Sequence, residues 1–246
     1  MKKKRLVILI PVLIILSVLV YSTYWITDYY KPSEEAITVF NDIKSVDIVK
    51  DDFITITPKD SSPNTGLIFY PGGKVAPEAY TPLAAKIASK GYKVVIVPMP
   101  LNLAVLKGDK ANEVIHRFPD IKNWAIGGHS LGGVMAASFA HDNPDKVKGL
   151  IMFAAYPQSK DNLDISNLKV LSIYGTLDGC ADLSKIKNSK ALLPEGSEFQ
   201  AIEGGNHAQF GSYGFQKGDN KATITDLEQQ ALAVQYATSL LDQISK

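Results

Sequence analysis

The sequence predicts an α/β domain, a mostly parallel sheet with helices on both faces, set behind one N-terminal transmembrane helix. Three observations carry that expectation. From about Thr65 onward, short continuous apolar runs alternate with helix-length stretches, the pattern of strands buried on both faces. The first 27 residues are a basic tip followed by an uncharged apolar run. A single cysteine, Cys180, in 246 residues excludes an internal disulfide and a cysteine-rich metal site.

The anchor comes first. Lys2-Lys3-Lys4-Arg5 precedes 22 uncharged residues, Leu6 to Thr27. As a helix these span roughly 33 Å at about 1.5 Å per residue, against a bilayer core of about 30 Å. Tyr21, Tyr24 and Trp25 fall where an aromatic belt lies. The basic tip stays cytoplasmic, so the rest of the chain is expected outside the membrane. A cleaved signal peptide is the competing reading and would make the protein secreted. Val20-Tyr21-Ser22 is a poor cleavage site. Residues 1–27 are therefore assigned to the tip and signal-anchor, 28–44 to a stalk or linker, and 45–246 to the catalytic domain.

Within that domain, Ser45–Lys50 and Phe53–Pro58 read as short strands, then a turn cluster at Asp60–Asn64. Leu67–Tyr70, Lys93–Pro98, Trp124–Gly127, Gly149–Ala155, Lys169–Tyr174 and Glu198–Ile202 read as further strands. Helices are expected on a face of Tyr80, Leu83, Ala84, Ile87 and Ala88, over Ala111–Arg117, and over Leu131–His141. Thr225-Asp226-Leu227-Glu228 is a capping box opening the last helix. Its expected core face is Leu227, Ala231, Val234, Ala237, Leu241 and Ile244.

Composition narrows the function. Apolar residues make up 46% and charged residues 21%, too apolar for a disordered chain. Mean hydropathy is +0.01, too low for a polytopic membrane protein. Net charge is +1, which gives no basis for nucleic-acid binding. Four of the 26 basic residues precede the apolar run and all 25 acidic residues follow it, so 22 basic residues face 25 acidic ones in the outer part.

Gly128-His129-Ser130-Leu131-Gly132 follows an expected strand and opens an expected helix. That is the context of a nucleophile elbow, whose serine stands on a sharp strand-to-helix turn. Flanking glycines avoid collisions there, and the helix N-terminus favours a developing anion. An acid and then a histidine must follow in the chain. Asp178 lies on the loop after an apolar strand, 48 residues beyond Ser130. Asp182 is its nearest rival but reads as a helix N-cap. His207 follows the last strand by a glycine-rich loop, 29 residues beyond Asp178. His129 adjoins the serine, where neighbouring side chains diverge. His116 and His141 precede any acid candidate and read as solvent-side residues.

From roughly Thr65 to Lys246 the chain resembles the α/β-hydrolase superfamily. The runs Tyr70–Val75, Pro98–Leu103, Gly127–Gly133 and Gly205–Gly211 resemble a compact, lidless family distantly similar to dienelactone hydrolases. In dienelactone hydrolase the nucleophile is cysteine; here the elbow carries Ser130 and Cys180 lies elsewhere. The resemblance implies an α/β-hydrolase fold without a cap domain. It also implies an oxyanion hole of two backbone N–H groups. Leu131 supplies one. Matching Pro71-Gly72-Gly73 to the family's usual His-Gly-X places the other at Gly73, with Lys74 as runner-up.

These residues together predict a serine hydrolase acting on a carboxylic ester or related acyl bond, with Ser130, Asp178 and His207 as its triad. No metal or organic cofactor is called for. The expected partners are a small-molecule or acyl-ester substrate and the membrane, and no nucleic acid. Only twelve residues, Pro157 to Leu168, separate two strands where lidded lipases carry a long insertion, so an open site is expected. Tyr213 and Phe215, on the loop after His207, either touch substrate or cover core. A cell-envelope acyltransferase would carry the same elbow. A non-catalytic binding protein on this fold would usually have lost one triad member.

Overall fold

The computed structural model describes residues 2–34, 36–38, 44–164 and 167–246, with side chains described from Leu13 onward. Among the described residues, eight strands form one sheet in the order β1-β2-β4-β3-β5-β6-β7-β8. They are β1 (Val46–Lys50), β2 (Ile54–Pro58), β3 (Thr65–Tyr70), β4 (Lys93–Ile96), β5 (Asn123–His129), β6 (Gly149–Phe153), β7 (Lys169–Gly175) and β8 (Glu198–Ile202). β1 pairs with β2, and β2 with β4, antiparallel. Every other pairing is parallel. The chain's expected α/β architecture is therefore present, with an antiparallel edge.

The alternation of side chains along each strand explains why both faces are covered. In β3, Leu67 and Phe69 enter one core and Ile68 and Tyr70 the other. In β6, Ile151 and Phe153 oppose Leu150 and Met152 in the same way. Helix Thr81–Ala88 and the C-terminal helix Asp226–Ile244 cover the first face, and helices Ala111–Arg117 and Leu131–Asp142 the second. Each fully buried leucine, isoleucine or phenylalanine contributes about 1.5–3 kcal/mol by leaving water. Asp161 anchors the β6–β7 connection to the Leu131–Asp142 helix through the Ser138 hydroxyl. Among the described residues of that connection there is no helix and no cap.

The C-terminal helix starts as expected, with the Thr225 side chain accepting from the Glu228 N–H and Glu228 accepting from the Thr225 N–H. Its buried face is rotated from the expected one. Leu227 and Ala231 are exposed, and Gln229, Gln230, Ala233 and Leu240 are buried beside Val234, Ala237, Leu241 and Ile244. Two buried glutamines break the apolar stripe because their amides serve the loop above them.

Lys2–Thr27 is one α-helix of 26 residues. Its side chains from Leu13 to Ile26 are mostly exposed. Among the described residues no helix is long and apolar enough to cross a membrane. The segment expected as a stalk or linker docks on the domain. Tyr30 forms a parallel bridge to Val75, the Ser33 N–H donates to the Ser212 carbonyl over 2.8 Å, and Ala36 is buried. Residues 39–43, also within the expected stalk, lie outside the described ones.

Candidate active site

The C-terminal ends of β3, β5, β7 and β8 converge on one edge of the sheet. β5 ends in His129, and Ser130 follows with φ 52° and ψ −124°, a left-handed backbone unusual for a residue with a side chain. Close approach on both sides enforces the turn. A Cβ on Gly132 would lie 2.2 Å from the Tyr70 carbonyl oxygen, and one on Gly128 would lie 2.6 Å from the Gly132 carbonyl carbon. The elbow sequence therefore needs its glycines for space. Ser130 donates its N–H to the Phe153 carbonyl, and its half-buried side chain stands ahead of the helix.

Asp178 and His207 are both buried and meet directly. His207 Nδ1 lies 2.8 Å from Asp178 Oδ2. A carboxylate can only accept, so Nδ1 carries the hydrogen and Nε2 is left as an acceptor. Nε2 is buried and makes no hydrogen bond among the described residues. The other carboxylate oxygen, Oδ1, accepts the N–H groups of Cys180 (2.8 Å) and Ala181 (2.7 Å), which fixes the acid's rotamer. Ser130 sits at the same edge, one residue from His129, whose ring centroid is 4.5 Å from that of His207. The rival Asp182 caps helix Leu183–Asn188 by accepting from Ser184 and Lys185. His116 and His141 are exposed, as expected.

The oxyanion-loop candidates separate cleanly. The Lys74 N–H donates to the Asn102 carbonyl over 2.8 Å, so it is not free. The Gly73 and Leu131 N–H groups donate to no acceptor among the described residues. At Leu131 this is the ordinary state of a first helical residue.

Four residues not assigned to the site from sequence hold it together. Asp219 is buried. Its Oδ1 accepts from Gly179 (2.9 Å), Asn220 (2.9 Å) and His207 (3.3 Å), and its Oδ2 from Ala208 (2.9 Å). Gln229, from the C-terminal helix, accepts the Asn206 N–H and donates to the Asn206 carbonyl, as a second strand would. Tyr80 accepts the Gly72 N–H over 3.0 Å and donates to His129 Nδ1 over 2.8 Å. Burial holds the Tyr80 hydroxyl pKa far above its usual value, partly offset by the Gly72 N–H, so it stays a donor. Burial foremost, and then the neighbouring His207, hold His129 well below the usual histidine pKa, so its ring is neutral. His129 thus turns into the core instead of simply diverging from the serine.

Two other side chains are also placed. Tyr213 is buried against Tyr30, Tyr80 and His129, whereas Phe215 is exposed. The Cys180 thiol is pushed up to about 11 by burial and by Asp219 and Asp178. It is a protonated thiol at neutral pH, a poor nucleophile. Among the described residues no group of histidine, cysteine or carboxylate side chains could hold a metal ion.

Residues 66–231 match the model of a family described as "Alpha/beta hydrolase family". The chain belongs to the alpha/beta hydrolase family. It is an enzyme of the hydrolase type. Solved structures agree on the fold. An esterase domain from a Rhodothermus marinus protein aligns with a TM-score of 0.61 at 11% identity, covering 79% of this hydrolase and 93% of that domain. A protein described as a predicted CIB-like hydrolase from Thermoplasma acidophilum aligns with a TM-score of 0.56 at 16% identity, covering 79% and 97% of the two chains. No curated protein sequence matches the hydrolase.

Proposed function

We propose that this hydrolase is a serine esterase that cleaves a carboxylic ester or related acyl bond at the outer face of a membrane. The observation that carries the reading is the buried 2.8 Å contact of His207 Nδ1 with Asp178, beside an elbow that presents Ser130. The Rhodothermus marinus relative, described as an esterase domain, supports it by fold.

The reaction follows from these groups. Ser130 Oγ attacks the acyl carbon while its proton passes to His207 Nε2. Asp178 holds the imidazole tautomer and stabilises the imidazolium. The carbonyl oxygen becomes an oxyanion, which the Gly73 and Leu131 N–H groups stabilise. Collapse breaks the ester C–O bond, and the leaving alkoxide takes the proton from His207. Water then attacks the acyl-enzyme by the same steps and returns the Ser130 hydroxyl. The free Nε2 leaves room for these transfers, and such contacts tighten when substrate is bound.

The N-terminal sequence serves as the anchor in this reading. Its support is the uncharged run Leu6–Thr27 behind a basic tip, which is the pattern of a cytoplasmic N-terminus. Membrane fractions from cells making the full chain should hold the protein after carbonate washing. Recovery in the soluble fraction would remove the anchor from the proposal.

The catalytic reading is tested by Ser130→Ala with a short p-nitrophenyl ester and by a fluorophosphonate probe. The wild type should turn over and be labelled at Ser130 alone. Ser130→Ala should do neither while keeping its circular dichroism. Full turnover in that variant would sink the assignment.

A further inference from the structure

We infer that Tyr30, in the segment joining the N-terminal helix to the domain, is a positioning residue of the active site that holds the Gly73 donor in place through Lys74. The inference rests on the proposed role of the Gly73 N–H as an oxyanion donor.

Lys74 has φ 60°. A left-handed residue with a Cβ is strained and persists only where its surroundings over-determine it. Beside the turn bond from the Val75 N–H to the Gly72 carbonyl, two backbone bonds do so at Lys74 itself. The Lys74 N–H donates to Asn102, and the Lys74 carbonyl accepts the Tyr30 N–H over 2.7 Å. The Tyr30 carbonyl in turn accepts the Ala76 N–H over 2.9 Å. Tyr30 thus grips the residues on both sides of Val75, as a one-residue added strand.

The grip is itself fixed at its far end. The Tyr30 hydroxyl accepts the Lys217 N–H over 3.0 Å, and its ring lies 5.5 Å from that of Tyr213. Tyr213 packs on Tyr80 and His129. Tyr30 therefore joins the loop carrying Gly73 to the loop that follows His207. The Lys74 ammonium also lies 3.9 Å over the Trp25 ring, so the end of the N-terminal helix meets the same residue. Tyr30 and Trp25 themselves lie outside the family-matched residues 66–231. The alpha/beta hydrolase scaffold alone does not supply it.

Gly73 and Lys74 are the central residues of a turn closed by the Val75 N–H on the Gly72 carbonyl over 3.2 Å, so releasing Lys74 from its left-handed state opens that turn and displaces the Gly73 N–H. Small displacements of catalytic donors cost about 10- to 100-fold in rate. The test uses full-length Tyr30→Ala and Tyr30→Phe. Tyr30→Ala should lower kcat for a p-nitrophenyl ester by about tenfold or more, with KM changed less than about twofold. Tyr30→Phe, which loses only the Lys217 contact, should keep most of kcat. Hydrogen exchange of the Ala76 amide should quicken in Tyr30→Ala. A variant that melts earlier but keeps its kcat, or loses kcat only in proportion to unfolded protein, overturns the inference. Unchanged protection of the Ala76 amide overturns it whatever the activity. Failure of the esterase reading is seen separately, as a wild type that the fluorophosphonate probe does not label.

Discussion

The Asp219 carboxylate accepts the backbone N–H of His207 and, with the same oxygen, that of Gly179. One buried side chain thereby ties the loop carrying the histidine to the loop carrying Asp178. The 2.8 Å contact between Asp178 and His207 is set by backbone held in place, not by two flexible side chains finding each other.

Replacing Asp219 by alanine leaves four backbone donors without their acceptor. The His207 and Ala208 donors are buried, and each unsatisfied buried group costs about 1–3 kcal/mol. Asp219→Ala should therefore unfold at markedly lower urea concentration. Asp219→Asn, which keeps one acceptor oxygen, should fall between it and the wild type. An alanine variant with an unchanged urea midpoint would show that water replaces the clamp.

Asp178→Asn should keep the loop but lose the proton logic. An asparagine oxygen can still accept from Cys180 and Ala181, but its amide nitrogen then faces His207 Nδ1. The imidazole would be held in the opposite tautomer, with hydrogen on Nε2. Loss of about 10⁴-fold in kcat is expected for such a change, with the melting temperature nearly kept. A p-nitrophenyl ester assay beside a thermal melt separates the two quantities.

His129 makes stability depend on pH. Burial and His207 lower its pKa well below 6.5 in the folded protein, whereas the unfolded chain binds the proton near 6.5. The unfolded state therefore carries more protons below that value. The contribution of neutral His129 is fully present above about pH 6.5 and is lost as pH falls below it, at up to about 1.4 kcal/mol per pH unit. Chemical denaturation at pH 7.5, 6 and 5 should show a steeper decline for the wild type than for His129→Gln. Parallel curves would contradict this assignment.

Gly132→Ala tests the elbow sterically. The added Cβ would lie 2.2 Å from the Tyr70 carbonyl oxygen and 2.3 Å from that of Pro71. Both are backbone and cannot swing away. The variant should lose about 3 kcal/mol or more, read as a shifted denaturation midpoint. Its probe labelling should fall as well, because relief requires β3 to move from the elbow.

The central strands β3 to β7 were legible because each carries a short, near-continuous apolar run whose alternate residues meet different helices. Ala111–Arg117 and Glu198–Ile202 match their expected bounds. The pairing of Asp178 with His207 was legible because the elbow needs an acid and a histidine later in the chain, and four histidines leave few choices. Asp219 was not legible. Gly218-Asp219-Asn220 reads as any turn, and its service to His207 exists only after two loops meet. Gln229 and Gln230 were hidden for a related reason: apolar periodicity places polar residues outward, while these pair with loop backbone. The proximity of the helix start to His207 in sequence was the available signal. Tyr80 was read as core. It is core, but its hydroxyl also spans Gly72 and His129, which no periodicity reports.

Ser130 has a consequence of its own. Its backbone occupies a region that costs about 1–3 kcal/mol for a residue with a Cβ, and glycine would sit there at ease. The fold would be more comfortable at this position without a side chain. Replacing Ser130 by glycine should therefore raise the denaturation midpoint while removing the hydroxyl that the proposed reaction needs.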